Sequence, residues 1–488
     1  MPTLMWYGFL LPAYLYHIRK KSFFNACIAV FILLVVSGRI PAPALPNGLE
    51  LWMIYATFIG PFLFLSNLRR QAKMTKYNSR GRSLIYFLGL VFNILVIAFG
   101  CISYATIRDY NQGYFILLLA CQAVVLALLT FPENDKYSLK RDICSCLVVA
   151  VSSICTLALV LQILIFCGLA ACPNFYPYHP EGDIHCVTTP IGDIYRLSIG
   201  SNINEFSMYI LCSFLLLLDK RSTTEAPKRV HVYIPFSSRS FSVIFPTRKP
   251  ILIFLLICGF LALSRALMLG LCLFLFIALC RSVLNISLGG PLKEHMLNRI
   301  FKVSRSHIKF LIFGLALLIL LIPFLASSEF TELFSSRFSF LWDFQSILEG
   351  SSSQERIHQF NDYLPVLEKL SIMPVLALGE GTILHNTFIQ LLLEYGSIVA
   401  IIGLLILVYA LLFSPLLVAP LLVYLLSHHV LYNPFLWIYL FAVTTRNVAQ
   451  AHPVVTTLDN KLLSTGNAGM QQAALKIMIS PSFKEKPC

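Results

Sequence analysis

Residues 249–281 read KPILIFLLICGFLALSRALMLGLCLFLFIALCR. Between Lys249 and Arg281 the only charged residue is Arg265. Basic residues that flank apolar spans collect on the inner side of a membrane. Both ends of this run therefore belong inside, and the chain must turn back at its middle. Each arm has ~15 residues, ~22 Å at helical rise, against ~30 Å for a hydrocarbon core. A hairpin with its tip at Ser264–Arg265 follows, with the guanidinium near or just beneath the outer headgroup level.

The rest of the chain fits the same frame. It has 488 residues, 57% of them hydrophobic and only 12% charged, with a mean hydropathy of +0.77. A soluble protein of this length is not so apolar. The apolar runs, such as 83–107, 143–171 and 310–326, are too continuous for the alternation of a barrel strand. The expected fold class is all-α: a polytopic membrane helical bundle of 12–13 spans, at roughly 3–18, 22–38, 51–67, 83–107, 114–131, 143–171, 206–218, 250–264, 266–280, 310–327, 385–413, 415–428 and 434–445. Pro12 in the first makes an interfacial helix the other reading of 3–18. Residues 1–445 then form one integral membrane domain with long outer loops at 172–205 and 327–384, and 446–488 a flexible inner tail.

The formal charge of +14 does not point to nucleic acid. Of the 37 Lys and Arg, 30 fall in connections assigned to the inner side (19–21, 68–82, 132–142, 219–249, 281–309 and the tail). The other seven are Arg39, Arg108, Arg196, Arg265, Arg337, Arg356 and Lys369. That split is the positive-inside rule, and it accounts for the excess charge. The start of the chain carries no secretory-signal pattern, and Lys486-Pro487-Cys488 is not a prenylation box. Most of the 14 cysteines lie in apolar spans. Cys172 and Cys186 share an outer loop, where an oxidising compartment would permit a disulfide. No Cys/His spacing resembles a zinc site.

Four residues on the outer side bear chemistry: Arg196, Arg265, Arg356 and His385. An Arg at membrane depth is by default a functional candidate, and snorkelling to lipid phosphate is its plainer reading. Arg196 precedes a turn-rich Gly200-Ser201-Asn202-Ile203-Asn204-Glu205 stretch, and pairing with Asp193 or Glu205 is its plainer reading. Arg356 neighbours Glu355, and His385 follows Gly379-Glu380-Gly381 and precedes Asn386. Taken alone, each of these is a surface charge or a helix-start residue. Gathered together they fit one task. Guanidiniums hold phosphate in fork geometry without a metal, fixed positive charge stabilises a departing diphosphate, and an imidazole accepts a proton near neutral pH. His428, His429, Tyr432 and Asn433 mark a further outer turn, which reads either as part of the same cavity or as an interfacial belt with Trp437.

These residues resemble the O-antigen ligase and O-antigen polymerase superfamily of bacterial envelope enzymes. The similarity covers mainly residues 190–445. It rests on the stretch from Arg196 to Asn204, the Ser264-Arg265-Ala266 tip, and the order Arg356, helix, Met373-Pro374, Gly379-Glu380-Gly381, His385-Asn386, Glu394-Tyr395-Gly396. The resemblance implies a GT-C-like bundle in a bacterial inner membrane and an inverting glycosyltransferase, facing the periplasm, that uses no metal and no cofactor. The donor would be an undecaprenyl-diphosphate-linked glycan. The acceptor would be lipid A–core in a ligase, or a second lipid-linked glycan in a polymerase. Arg196, Arg265 and Arg356 would grip the diphosphate, His385 would orient or deprotonate the acceptor hydroxyl, and Asn386 would help position His385. Leu367 stands eleven residues after Arg356, where the polymerase pattern has Gly, which favours ligation. A transporter or flippase for an anionic lipid is the reading from another class. It calls for charge near the bilayer midplane, where Glu394 is the main exception in otherwise uncharged spans.

Overall fold

The computed structural model describes residues 1–43, 45, 49–74, 84–106, 112–129, 136–172, 186–189, 192–195, 203–218, 230–233, 240–243, 248–262, 264–287, 386–428, 433–444 and the single positions 358, 361 and 372. The expected span 310–327 and most of both outer loops lie outside these residues. The chain divides into two compact units, Met1–Thr444 and Thr445–Cys488, and the second lies wholly outside the described residues.

The described chain is mostly helical. A helical start comprises α1 (Pro2–Met5), a π turn at Trp6–Leu10 and α2 (Leu11–Ile18). There follow α3 (Phe23–Ser37), α4 (Leu51–Met74), α5 (Leu84–Thr106), α6 (Gln112–Leu129), α7 (Lys136–Phe166), α8 (Ile203–Leu218), α9 (Arg248–Leu261) and α10 (Arg265–Ser287). Two four-residue hairpins interrupt them: β1 (Cys186–Thr189) with β2 (Gly192–Tyr195), and β3 (Val230–Tyr233) with β4 (Ser240–Val243). They are ornaments on connections and form no layer. After residue 386 come α11 (Thr387–Tyr395), α12 (Ser397–Phe413), α13 (Pro415–Val418), a 3-10 turn at Ala419–Leu421, α14 (Leu422–Ser427) and α15 (Pro434–Thr444).

Two helical stretches, Leu51–Arg69 and Leu139–Phe166, are long and apolar enough to cross a membrane. Eight further apolar helical stretches of 10–17 residues accompany them among the described residues. The break expected in the middle of 250–280 is present: α9 ends at Leu261 and α10 begins at Arg265. Two expectations are revised. The run 385–413 is two helices, because Gly396 adopts φ 83° and ends α11 before Ser397 restarts the chain. That conformation is easy only for glycine, and the long apolar stretches before Glu394 and after Ser397 make the run read as one span on average hydropathy. The helix expected from 143 starts at Lys136, so its first turns are basic.

Packing explains the order. α3 lies against α7 and α4, and α4 against α6. The Ser22 hydroxyl caps α3 by accepting from the Asn25 amide at 3.3 Å. The α4–α6 contact is close: a Cβ added at Gly60 would sit 2.6 Å from the Ala123 Cβ, and the buried Asn67 amide donates to the Ala127 carbonyl at 2.7 Å. α8 packs against α7, α9 and α10, and α10 packs against α13, the 3-10 turn and α14. Every side chain of α8 from Phe206 to Leu218 is buried, so this helix is the centre of the bundle.

Segments grouped by charge meet in the structure. Lys21 Nζ bonds Asp142 Oδ1 at 2.9 Å, and Asn25 Nδ2 donates to Asp142 Oδ2 at 2.6 Å. Both partners come from connections assigned to the inner side. At the opposite end of α3, Arg39 Nε lies 3.9 Å from Glu50 Oε1. Cys172 is disulfide-bonded, and Cys186, the partner expected for it, opens β1. The seam at Gly60 yields a stability prediction. Gly60→Leu forces α4 and α6 apart and costs about 1–3 kcal/mol through overpacking. A lowered thermal midpoint of the purified protein is expected; an unchanged one contradicts the close approach.

Candidate functional site

Of the residues singled out in the sequence, Arg265 and Asn386 are described, whereas Arg196, Arg356 and His385 lie outside the described residues. Arg265 is the first residue of α10 and is half-buried. Ser264 precedes it and caps the helix, its Oγ accepting from the Leu267 amide at 3.5 Å. A helix N-terminus carries about half a positive charge. A guanidinium at that point opposes the dipole and gives no stability benefit to the helix. An anion at this point would meet the dipole and the side chain acting in the same direction.

A buried hydroxyl network fixes this tip. The Ser207 and Ser264 hydroxyl oxygens lie 2.9 Å apart, and the Tyr424 hydroxyl donates to Ser207 at 2.9 Å. Ser207 also reaches the Asn204 carbonyl at 2.8 Å. The N-terminal part of α8, the start of α10 and the middle of α14 are thus joined side chain to side chain. Each such bond contributes about 0.5–1.5 kcal/mol net, and a buried hydroxyl left unpaired costs about 1–3 kcal/mol. The network is therefore specific to this packing. One turn beyond Tyr424, its ring lies 6.0 Å from that of His428.

The same region receives the start of α11. Asn386 Oδ1 accepts from the amides of Phe388 (3.0 Å) and Ile389 (3.1 Å), an N-cap, while Nδ2 donates to the Leu426 carbonyl at 3.2 Å. The Thr387 hydroxyl donates to the His428 carbonyl at 2.8 Å. Asn386 was expected to help position His385. Its side chain caps α11 and ties it to α14. Asn433 donates to the Tyr209 hydroxyl at 2.6 Å and caps α15 through the Phe435 amide at 3.0 Å. With His428 it is buried; both are built into this end of the bundle.

The structure thus joins the start of α10 at Arg265 to α8, whose start follows Arg196 by seven positions, and to α14, and joins the residue after His385 to α14 as well. β2 ends at Tyr195, immediately before Arg196, and its hairpin packs on α7. Ser207, Tyr209 and Tyr424 were not foreseen. Each is a lone hydroxyl in an apolar run, and only its partner on another helix gives it meaning. A mostly apolar cleft elsewhere, between α5, α6, α12 and α15, has Asn93, Trp437 and Thr444 among its lining and no charged side chain. It does not suit a diphosphate.

The connection between α3 and α4 also holds Glu50. Its Oε2 accepts from the Trp52 indole at 2.7 Å. Burial, and then the Glu205 carboxylate in the first turn of α8, push its carboxyl up to about 8; the Trp52 bond and Arg39 oppose this.

Comparison with family models, with curated proteins and with solved structures gives no match to this chain.

The raised Glu50 carboxyl makes stability depend on pH. The folded state holds this proton more tightly than the unfolded chain. The stabilisation is complete below about 4.5 and is lost as pH rises from there through about 8. The thermal midpoint should fall across that window, and Glu50→Gln should remove that part of the slope. An identical slope in the variant contradicts the assignment.

Proposed function

We propose that this protein is a polytopic, GT-C-like membrane glycosyltransferase of a bacterial inner membrane, with its site facing the periplasm. It transfers a glycan from undecaprenyl diphosphate to an acceptor sugar hydroxyl, with lipid A–core as the acceptor and O-antigen ligation as the reaction. One observation carries the reading: the helix start bearing Arg265 is bonded to α14 through Ser264, Ser207 and Tyr424, and Asn386 at the start of α11 is bonded to the same helix at Leu426. The family resemblance of the sequence supplies the chemistry.

Arg196, Arg265 and Arg356 would pair with the diphosphate oxygens. The acceptor hydroxyl oxygen attacks the anomeric carbon from the face opposite the diphosphate. A new C–O bond forms as the bond to the leaving diphosphate breaks, so configuration inverts. The hydroxyl proton passes to His385, and charge arriving on the diphosphate is met by guanidiniums and the α10 N-terminus already in place. No metal is required, because the arginines and the helix dipole supply the positive charge. A polymerase would use the same groups with a second lipid-linked glycan as acceptor.

Transport of an anionic lipid is the second reading. It is favoured by Glu394, buried within α11 and hydrogen-bonded to Gln390, since a carboxyl at membrane depth marks many translocation paths. The charge pattern of the sequence, which assigns the other candidates to one side, favours transfer. Arg265→Ala and His385→Ala should each lower transfer from a lipid-linked donor by about 100-fold or more, with the protein still inserted and monodisperse. Full activity of both variants contradicts the mechanism, and movement of intact donor across vesicles without transfer supports transport.

A further inference from the structure

The opposite end of the bundle carries a second arrangement that the proposed chemistry does not use. Arg19 and Lys20 are exposed in the turn between α2 and α3, the Arg19 guanidinium lying 3.9 Å over the Tyr16 ring. Their neighbour Lys21 is bonded to Asp142, which is also bonded by Asn25. That pair cancels its own charge and pins exposed Arg141 of α7 beside the turn. Directly after the turn, Phe23 is 65% exposed and meets Phe62 of α4, 54% exposed, edge to face at 6.0 Å. Phe58, Phe62, Leu65 and Arg69 recur at intervals of four, three and four residues and are all exposed, so one face of α4 is an apolar stripe ending in a cation.

We infer that this corner of α3, α4 and α7 is a binding site for an anionic phospholipid, its headgroup phosphate held by Arg19, Lys20, Arg69 and Arg141 and its acyl chains laid on Phe23 and Phe62. Four cations with no uncompensated acid among the described residues of these turns attract an anion, and basic clusters between helices on the inner side suit anionic headgroups. Free phosphate would need only the cations. The exposed aromatic wall immediately beneath them selects a ligand with hydrocarbon attached. Lys21 and Asp142 are positioning residues: their ion pair fixes two separate basic segments at one level.

The inference rests on the membrane embedding proposed above but not on glycosyl transfer. Its test is lipid retention by the purified full-length chain, measured by native mass spectrometry after exposure to equal amounts of phosphatidylglycerol and phosphatidylcholine. Phosphatidylglycerol should be retained about tenfold more, and excess inorganic phosphate should not displace it. The fourfold variant Arg19→Gln, Lys20→Gln, Arg69→Gln, Arg141→Gln should lose the preference, and Phe23→Ala with Phe62→Ala should lose bound lipid of both kinds. Equal retention of the two lipids by the unaltered chain overturns the site even if the variants fail to fold. Displacement by phosphate, or an unchanged preference in the folded fourfold variant, also overturns it. A chain monodisperse without detergent or lipid would refute the embedding itself, which distinguishes that failure from failure of this site.

Discussion

The contact between Ser207 and Ser264 is the joint on which the end of the molecule where α8 and α10 begin depends. α8 is enclosed by α7, α9 and α10, and nearly all of its surface is apolar. Apolar contact is non-directional and leaves rotation and sliding of one helix on another weakly specified. Two hydroxyls 2.9 Å apart, with a third from Tyr424, remove that freedom. In a dry bundle none of the three has water as a substitute partner, so a slip of one residue would leave hydroxyls unpaired. The position of Arg265 is therefore determined by neighbours that are themselves chemically inert.

Polar side chains divide by role along the helices. At one end, ion pairing between Lys21 and Asp142 aligns α3 with α7. At the other, caps by Ser264, Asn386 and Asn433 set where helices begin. Between the ends, glycine and small residues permit close approach, as at Gly60 against Ala123. Membrane helices gain little from hydrophobic association with one another when lipid is equally apolar, and close packing with a few interhelical hydrogen bonds takes its place. The fold uses both.

Much of this was legible in the sequence because charge is a strong signal on an apolar background. A single Arg between Lys249 and Arg281 located the helix break at 262–264. The basic clusters grouped 19–21 with 132–142, and the structure joins them through Lys21 and Asp142. Asn386 at a helix start was legible as a polar residue opening an apolar run, but its role was not: capping and the bond to Leu426 need the partner helix. The division of 385–413 was hidden for another reason. Gly396 breaks the helix by backbone conformation, and the long apolar stretches before Glu394 and after Ser397 outweigh the few polar residues at the break. Ser207 and Tyr424 are 217 positions apart, and no periodicity in one sequence links them.

The central claim is that Arg265 and His385 face one diphosphate-bearing lipid at the end of the bundle where α8, α10 and α11 begin. A photoreactive polyprenyl diphosphate, with its label beside the phosphates, tests it most directly when the cross-linked peptides are sequenced. The account predicts labelling at 264–266 and 385–386, abolished by excess unlabelled diphosphate lipid. Labelling confined to the 19–21 turn and the start of α7, or spread along the lipid-facing helices without competition, would contradict it.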